Sequence, residues 1–369
     1  MSAITPSRLT LARQLRGLTK ADLAGRIGVT PAAVTQWEGA HRTPDGGTIH
    51  RLAEALAVPV GFLAGAMPTL LEADTVSFRS LRTLARRDRD RACAAAEVAS
   101  MLGKWIAEKF VLPDVALPDL SDMSPDMAAA EMRRVLQLGS GPLPSIVHLL
   151  EASGVRCFAL GVDMLKADAL SAWVDGIPLV LLNTAKSAER GRNDAAHELG
   201  HLTMHRHKQP SGDVAEKEAV AFAAEFLVPS ESLWRQDARV NSLADLIALK
   251  RLWRVSAAFM LKRMTHLKLI SDWSARALWQ QLSANGYRGG EPDGAPREHS
   301  EVLTQLVQHL RQRHADRTFA FIGGETILGA ADVRARIEGM LPLTAQTGGD
   351  AWAARLPAMA APPALKLVR

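Results

Sequence analysis

Three things are scarce in this chain, and each scarcity narrows its function. Cysteine occurs twice among 369 residues, at Cys93 and Cys157. The two lie far apart in apolar segments, so a disulfide framework is not expected and a cytosolic setting is the default. Tyrosine occurs once, at Tyr287, which leaves any site on this chain almost without phenolic donors. No stretch approaches the roughly 18 consecutive apolar residues of a membrane span. The opening Met1-Ser2-Ala3-Ile4-Thr5-Pro6 lacks the basic flank and apolar core of a signal peptide. What remains is a globular balance, 47% apolar and 22% charged. The length predicts two or three domains, and a net charge of +5 with an isoelectric point near 9.4 is compatible with nucleic acid.

The pattern along the chain divides it into four: 1–66, 67–140, 141–290 and 291–369. The first part reads as short helices joined by tight turns. The second reads as a helical linker region, with a helix from Val76 to Phe110 carrying Arg79, Arg82, Arg86, Arg87, Arg89 and Arg91, mainly as a solvated face. A proline-punctuated connector runs from Leu112-Pro113 to Ser124-Pro125, and two helices follow between Met127 and Ala152. Val155–Leu160 and Ile177–Leu182 are short, apolar and bounded by turn residues, as strands are. Helical patterns return from Ala188 to Leu282, and Gly289–Gly294 reads as a linker. Val302, Leu303, Leu306, Val307 and Leu310 form one apolar helix face. Phe319–Gly324 suggests a strand and turn, and the Ala-, Pro- and Gly-rich stretch from Leu341 suggests poor order. The last quarter is expected to serve dimerisation or sensing.

Within residues 7–64, Leu9, Ala12, Leu15, Leu23, Ala24, Ile27, Val34, Trp37, Ile49, Leu52, Ala53 and Leu56 recur at helical spacing. Thr19 can cap a helix from Lys20 to Arg26, Gly28 can end it, and Thr30-Pro31 can start the next. Helix, glycine turn, helix is a helix-turn-helix pattern. The runs Leu18–Ala24, Val29–Gly39 and Arg42-Thr43-Pro44 resemble the XRE family of phage-repressor-like DNA-binding domains. That resemblance implies an all-α, lambda-repressor-like domain whose helix from Pro31 to Trp37 enters the major groove of a double-stranded operator. Thr30, Ala32, Ala33, Thr35 and Gln36 would lie at its DNA face, with glutamine suited to adenine and alanine or threonine to thymine methyls. Lys20, His41 and Arg42 would lie near phosphates. Lys20 stands where the family often has glutamine, which puts the geometry of that contact in doubt.

The sharpest local signal is Ala196-His197-Glu198-Leu199-Gly200-His201. On a helix, positions i and i+4 share a face, so His197 and His201 can both point an imidazole nitrogen at one Zn2+. Glu198, beside the first ligand, can take a proton from an attacking water. A third ligand from a second helix would complete such a site, and Glu216, Glu218 and Glu225 follow on one. Together with Ser171-Ala172-Trp173, Ile177–Asn183, Glu189–Arg192, Met204-His205 and Glu218-Ala219-Val220-Ala221-Phe222-Ala223, the motif resembles the ImmA/IrrE family of metallopeptidases. The resemblance implies His197, His201 and Glu218 as ligands, Glu198 as general base, and a zincin-like domain with a small sheet. Asn193-Asp194 and Val220 depart from the family pattern without removing a ligand. The oxyanion stabiliser falls between His205 and Arg192, with His205 weighted toward holding the helix end.

The whole is thus expected to be a multidomain, helix-rich α+β protein, a homodimeric transcriptional regulator with Zn2+ as cofactor. Its peptidase would cleave a protein substrate such as a repressor when a signal arrives. The competing readings are a repressor or antitoxin with a structural or sensory zinc, and a protease that docks on protein through its N-terminal domain.

Overall fold

The computed structural model describes residues 4–66, 76–77, 85–161, 164, 167–206, 212–235, 239–287, 289–342 and 365–368. Its N-terminal turns follow the sequence. Helices α1 (Pro6–Leu15), α2 (Lys20–Ile27), α3 (Pro31–Glu38), α4 (Gly46–Ala55) and α5 (Val60–Leu63) form in order. Thr19 Oγ1 accepts from the Asp22 amide at 3.0 Å, and the Asp22 carboxylate accepts from the Thr19 amide at 2.9 Å. This reciprocal cap stabilises the start of α2 by about 1 kcal/mol. Gly28 closes that helix at φ 70°, where a side chain would be strained. Thr30 accepts from the Ala33 amide, with Pro31 in the first turn of α3. All twelve residues expected to form the core of this domain are buried.

The chain's contacts group it into two compact units. One unit holds 1–113, 158–183 and 301–369; the other holds 114–157 and 184–300. In the first unit, α6 (Arg86–Lys109) packs on α1, and its residues from Ala92 to Ala96 are buried. Arg91 Nε donates to the Leu15 carbonyl at 3.1 Å, at the open end of α1. The expected helix therefore starts at Arg86, not Val76. Val76–Ser77 forms a short strand, β1, paired with β4, and Arg79 and Arg82 lie outside the described residues. The four-stranded sheet has the order β1-β4-β5-β3, from β3 (Arg156–Ala159), β4 (Ala169–Val174) and β5 (Ile177–Leu182). Asp175 at φ 50° and Gly176 at φ 78° make the two-residue turn between β4 and β5, the twist that suits a tight hairpin.

Helices α15 (Glu301–His314), α16 (Thr318–Thr326) and α17 (Ala330–Ile337) complete this unit, with β2 (Phe110–Val111) paired to β6 (Lys366–Leu367). The expected strand at Phe319–Gly324 is instead α16. Thr318, Phe319, Ile322, Gly323 and Thr326 are its buried residues, a helical period that outweighs the glycine pair. Gly323 is required there, because a Cβ would lie 2.8 Å from the Leu328 carbonyl oxygen. Arg16 of α1 grips Asp332 of α17 through two hydrogen bonds of 2.6 and 2.8 Å. Residues 343–364, expected to be poorly ordered, lie outside the described residues.

The second unit is helical: α7 (Pro125–Val135), α8 (Ile146–Ala152), α9 (Ala188–Met204), α10 (Gly212–Leu227), α11 (Ser230–Arg235), α12 (Leu243–Trp253), α13 (Ala257–His266) and α14 (Asp272–Ala284). The stretch after Gly290, half of it expected to be a linker, is tied down. Glu291 accepts from buried Lys250 Nζ at 2.6 Å, and Glu298 accepts from the first amides of α8 at 2.7 and 2.9 Å.

Glu97, 3% exposed on α6, has one carboxylate oxygen without a hydrogen-bond partner. Burial pushes its pKa up to about 7, against the pull of Lys104 and Arg8. The folded state therefore holds a proton that the unfolded chain releases near its ordinary value. Stability conferred by the neutral form is complete at pH 4 and falls as pH rises from about 4.5 to 7. Glu97→Gln is expected to raise the melting temperature by several degrees at pH 8 and to leave it nearly unchanged at pH 4, as thermal melts at the two pH values will show.

Candidate metal centre and nucleic-acid face

On α3 the buried residues are Val34 and Trp37, which turn Ala32, Thr35 and Gln36 outward and leave Ala33 half-exposed. This is the face the sequence nominated. Thr35 Oγ1 donates back to the Pro31 carbonyl at 3.1 Å, so its methyl and lone pairs are what remain for a partner. Thr30 serves as the N-cap of α3. Arg42 and His41 are exposed in the turn that follows. Lys20 is 3.6 Å from Glu38, with 40% of its side chain exposed. Glu38 is itself held by Arg13 at 2.6 and 3.0 Å, so two cations share one carboxylate beneath this face. Arg87 and Arg91 of α6 lie beside Gly17, in the turn before α2.

The run His197-Glu198-Leu199-Gly200-His201 sits on α9, whose start is fixed by several contacts. Ser187 accepts from the Arg190 amide, and Glu189 accepts from the Ala295 amide at 2.6 Å. Arg192 bonds to Glu298 and to the carbonyls of Leu143 and Pro144. Its guanidinium is thus committed to holding α9, and the structure gives it no role as an oxyanion donor. One turn further on, His197 and His201 are buried, with their Nε2 atoms 3.0 Å apart. Glu198 between them is also buried.

Helix α10 crosses α9 at Gly200. A Cβ there would lie 3.0 Å from the Phe222 ring, so a larger residue would require that ring to give way by a few tenths of an ångström. The approach brings Glu216 within 3.4 Å of both His197 Nε2 and His201 Nε2. Burial raises the pKa of Glu216, but hydrogen bonds with the two imidazoles outweigh it and hold the group down to about 2. Donor atoms of His197, His201 and Glu216 all lie within 4.8 Å of one another. Two imidazole nitrogens and one carboxylate oxygen fit a catalytic zinc site with an open position.

Glu218, placed first by the sequence, does not join this group. Its Oε2 lies 2.9 Å from His205 Nε2. The reason is the helical period: two residues along α10 rotate a side chain by about 200°, so Glu216 and Glu218 cannot share a face. Glu225, the other alternative, accepts from Ser230 and pairs with Arg263. His205 closes the series on α9, with its Nδ1 2.9 Å from His201 Nδ1. Burial and the neighbouring His201 lower its pKa below the usual imidazole value, which favours a neutral ring. The sequence carried this signal as a third histidine at the same four-residue interval. Trp173 lies in β4.

These geometries agree with two family comparisons. Residues 9–63 match the helix-turn-helix family, and residues 150–265 match the family described as IrrE N-terminal-like domain, a peptidase family. No curated protein matches the chain. The chain joins an XRE-type helix-turn-helix domain to a domain of the IrrE N-terminal-like peptidase family.

Proposed function

We propose that this protein is a DNA-binding regulator whose peptidase-family domain hydrolyses a peptide bond in a partner protein. The observation that carries the catalytic half is the convergence of His197, His201 and Glu216, with Glu198 on the same helix. These three side chains would hold Zn2+, which when bound polarises a carbonyl and lowers the pKa of a water toward about 7. Glu198 then acts as general base: its carboxylate takes the proton of the attacking water and delivers it to the departing amine. A carboxylate in that place has no use in a purely structural zinc site. A protein substrate such as a repressor fits this chemistry, and cleavage in response to a signal fits its fusion to a DNA reader.

Purified protein is expected to carry about one zinc per chain, measured by elemental analysis, because the donor set matches a single open site. His201→Ala and Glu216→Ala should lose it. Retention of full zinc by Glu216→Ala would return the third position to another carboxylate. Glu198→Gln should keep the metal and lose at least 100-fold of the cleavage rate, in the range of general-base losses. Normal cleavage by Glu198→Gln would remove the base assignment.

For the DNA half, α3 would enter the major groove, with the chain binding as a homodimer on an inverted repeat, since one such module spans only a short half-site. Thr35→Ala with Gln36→Ala should cost about 1–3 kcal/mol of discrimination per lost base contact while leaving binding to random duplex nearly intact. Lys20→Ala should weaken every sequence alike and flatten the salt dependence by about one unit of log–log slope. Fluorescence anisotropy across a salt series measures both. Equal losses on specific and random DNA for both variants would show that the reading face lies elsewhere.

A further inference from the structure

We propose that His205 and Glu218 are a positioning pair that fixes the tautomer and orientation of His201 for metal binding. The inference rests on the metal reading above and deepens it. His201 is engaged at both nitrogens: Nε2 faces His197 and Glu216, and Nδ1 lies 2.9 Å from His205 Nδ1. A neutral imidazole has one donor and one acceptor nitrogen. To offer a lone pair to a metal at Nε2, His201 must carry its proton on Nδ1. At 2.9 Å, His205 Nδ1 is placed to take that proton as acceptor. His205 must then carry its own proton on Nε2, which donates to Glu218 Oε2 at 2.9 Å. Each link has one donor and one acceptor, and the chain ends on a carboxylate, which is acceptor-only when ionised. The opposite set of tautomers would put a proton on His201 Nε2, where the metal should sit, and leave the lone pair of His205 Nε2 against the Glu218 carboxylate.

The burial of the three groups supports the assignment. The side chains of His201 and His205 are 4% and 10% exposed, and Glu218 is 35% exposed, so the relay runs outward from the centre to a partly solvated anion. Their effect on the centre would pass through the contact of His205 with His201. A hydrogen-bonded partner of this kind raises the basicity of the ligating nitrogen, and its loss typically weakens metal binding 10–100-fold.

The experiment measures zinc affinity of the full chain by competition with a chromophoric chelator, together with the visible spectrum of the cobalt-substituted protein and the melting temperature of the metal-free form. His205→Leu is expected to weaken zinc binding 10–100-fold and to shift the cobalt bands, with the metal-free melting temperature changed by no more than a degree or two. Glu218→Gln should produce a smaller loss, since an amide oxygen still accepts from His205. His205→Gln should recover most of the affinity, because its amide oxygen can accept from His201 Nδ1 while its NH2 donates to Glu218. Unchanged zinc affinity in His205→Leu would overturn the proposal. So would an affinity loss that follows metal-free stability and is not rescued by glutamine, since that is the signature of a packing role. A parent protein that binds no zinc would overturn the metal reading itself, a result distinct from either.

Discussion

The contact between Gly200 of α9 and the ring of Phe222 on α10 is the constraint on which the candidate centre depends. Two helices that touch at a residue without a side chain bring their neighbouring turns within hydrogen-bond reach. The stripe of His197, His201 and His205 on α9 then meets two glutamates of α10 that point to different sides. Glu216 goes to the imidazole nitrogens that face each other, and Glu218 goes to the far nitrogen of His205. The backbone thus sorts two carboxylates, chemically identical and two residues apart, into different roles. Arg192 and Glu298 hold the start of α9 and Arg263 holds Glu225, so these two arginines serve as scaffolding.

How much of this was legible in the sequence depends on how local the signal was. The caps of α2 and α3, the glycine at their junction and the buried face of the N-terminal helices follow from residues within a turn of one another. The same is true of the histidine pair on α9. Glu218 was placed by resemblance, and the geometry favours Glu216 because the choice depends on how α9 and α10 cross, which no local pattern encodes. The reading of Phe319–Gly324 failed for the opposite reason. Its apolar residues do have a helical period, but two adjacent glycines and a short apolar run imitate a strand and its turn. The helix expected from Val76 gives way at its first two residues to a short strand, which pairs with Ser171 and Ala172 nearly a hundred positions away.

The helix-turn-helix domain shows a similar economy with charge. Glu38, at the end of the helix that presents Thr35 and Gln36, is gripped by Arg13 and lies near Lys20. A buried carboxylate with one bidentate partner fixes the angle between α1 and α3. Its second neighbour is held near the start of α2 rather than left to wander. The outward face of α3 is therefore set by what lies under it as much as by its own residues.

Arg16 and Asp332 are separated by 316 positions in the chain, yet they join α1 to α17 within one compact unit. That unit is assembled from three separate stretches of the chain, with the other unit supplied by the stretches between them. During synthesis, the first helices therefore emerge long before the partner that braces them exists. While the intervening stretches are being made, the N-terminal helices must persist on their own caps and core. Asp332 can reach back to Arg16 only after the 316 positions that separate them have been synthesised, so this brace is added long after the helices it joins have formed.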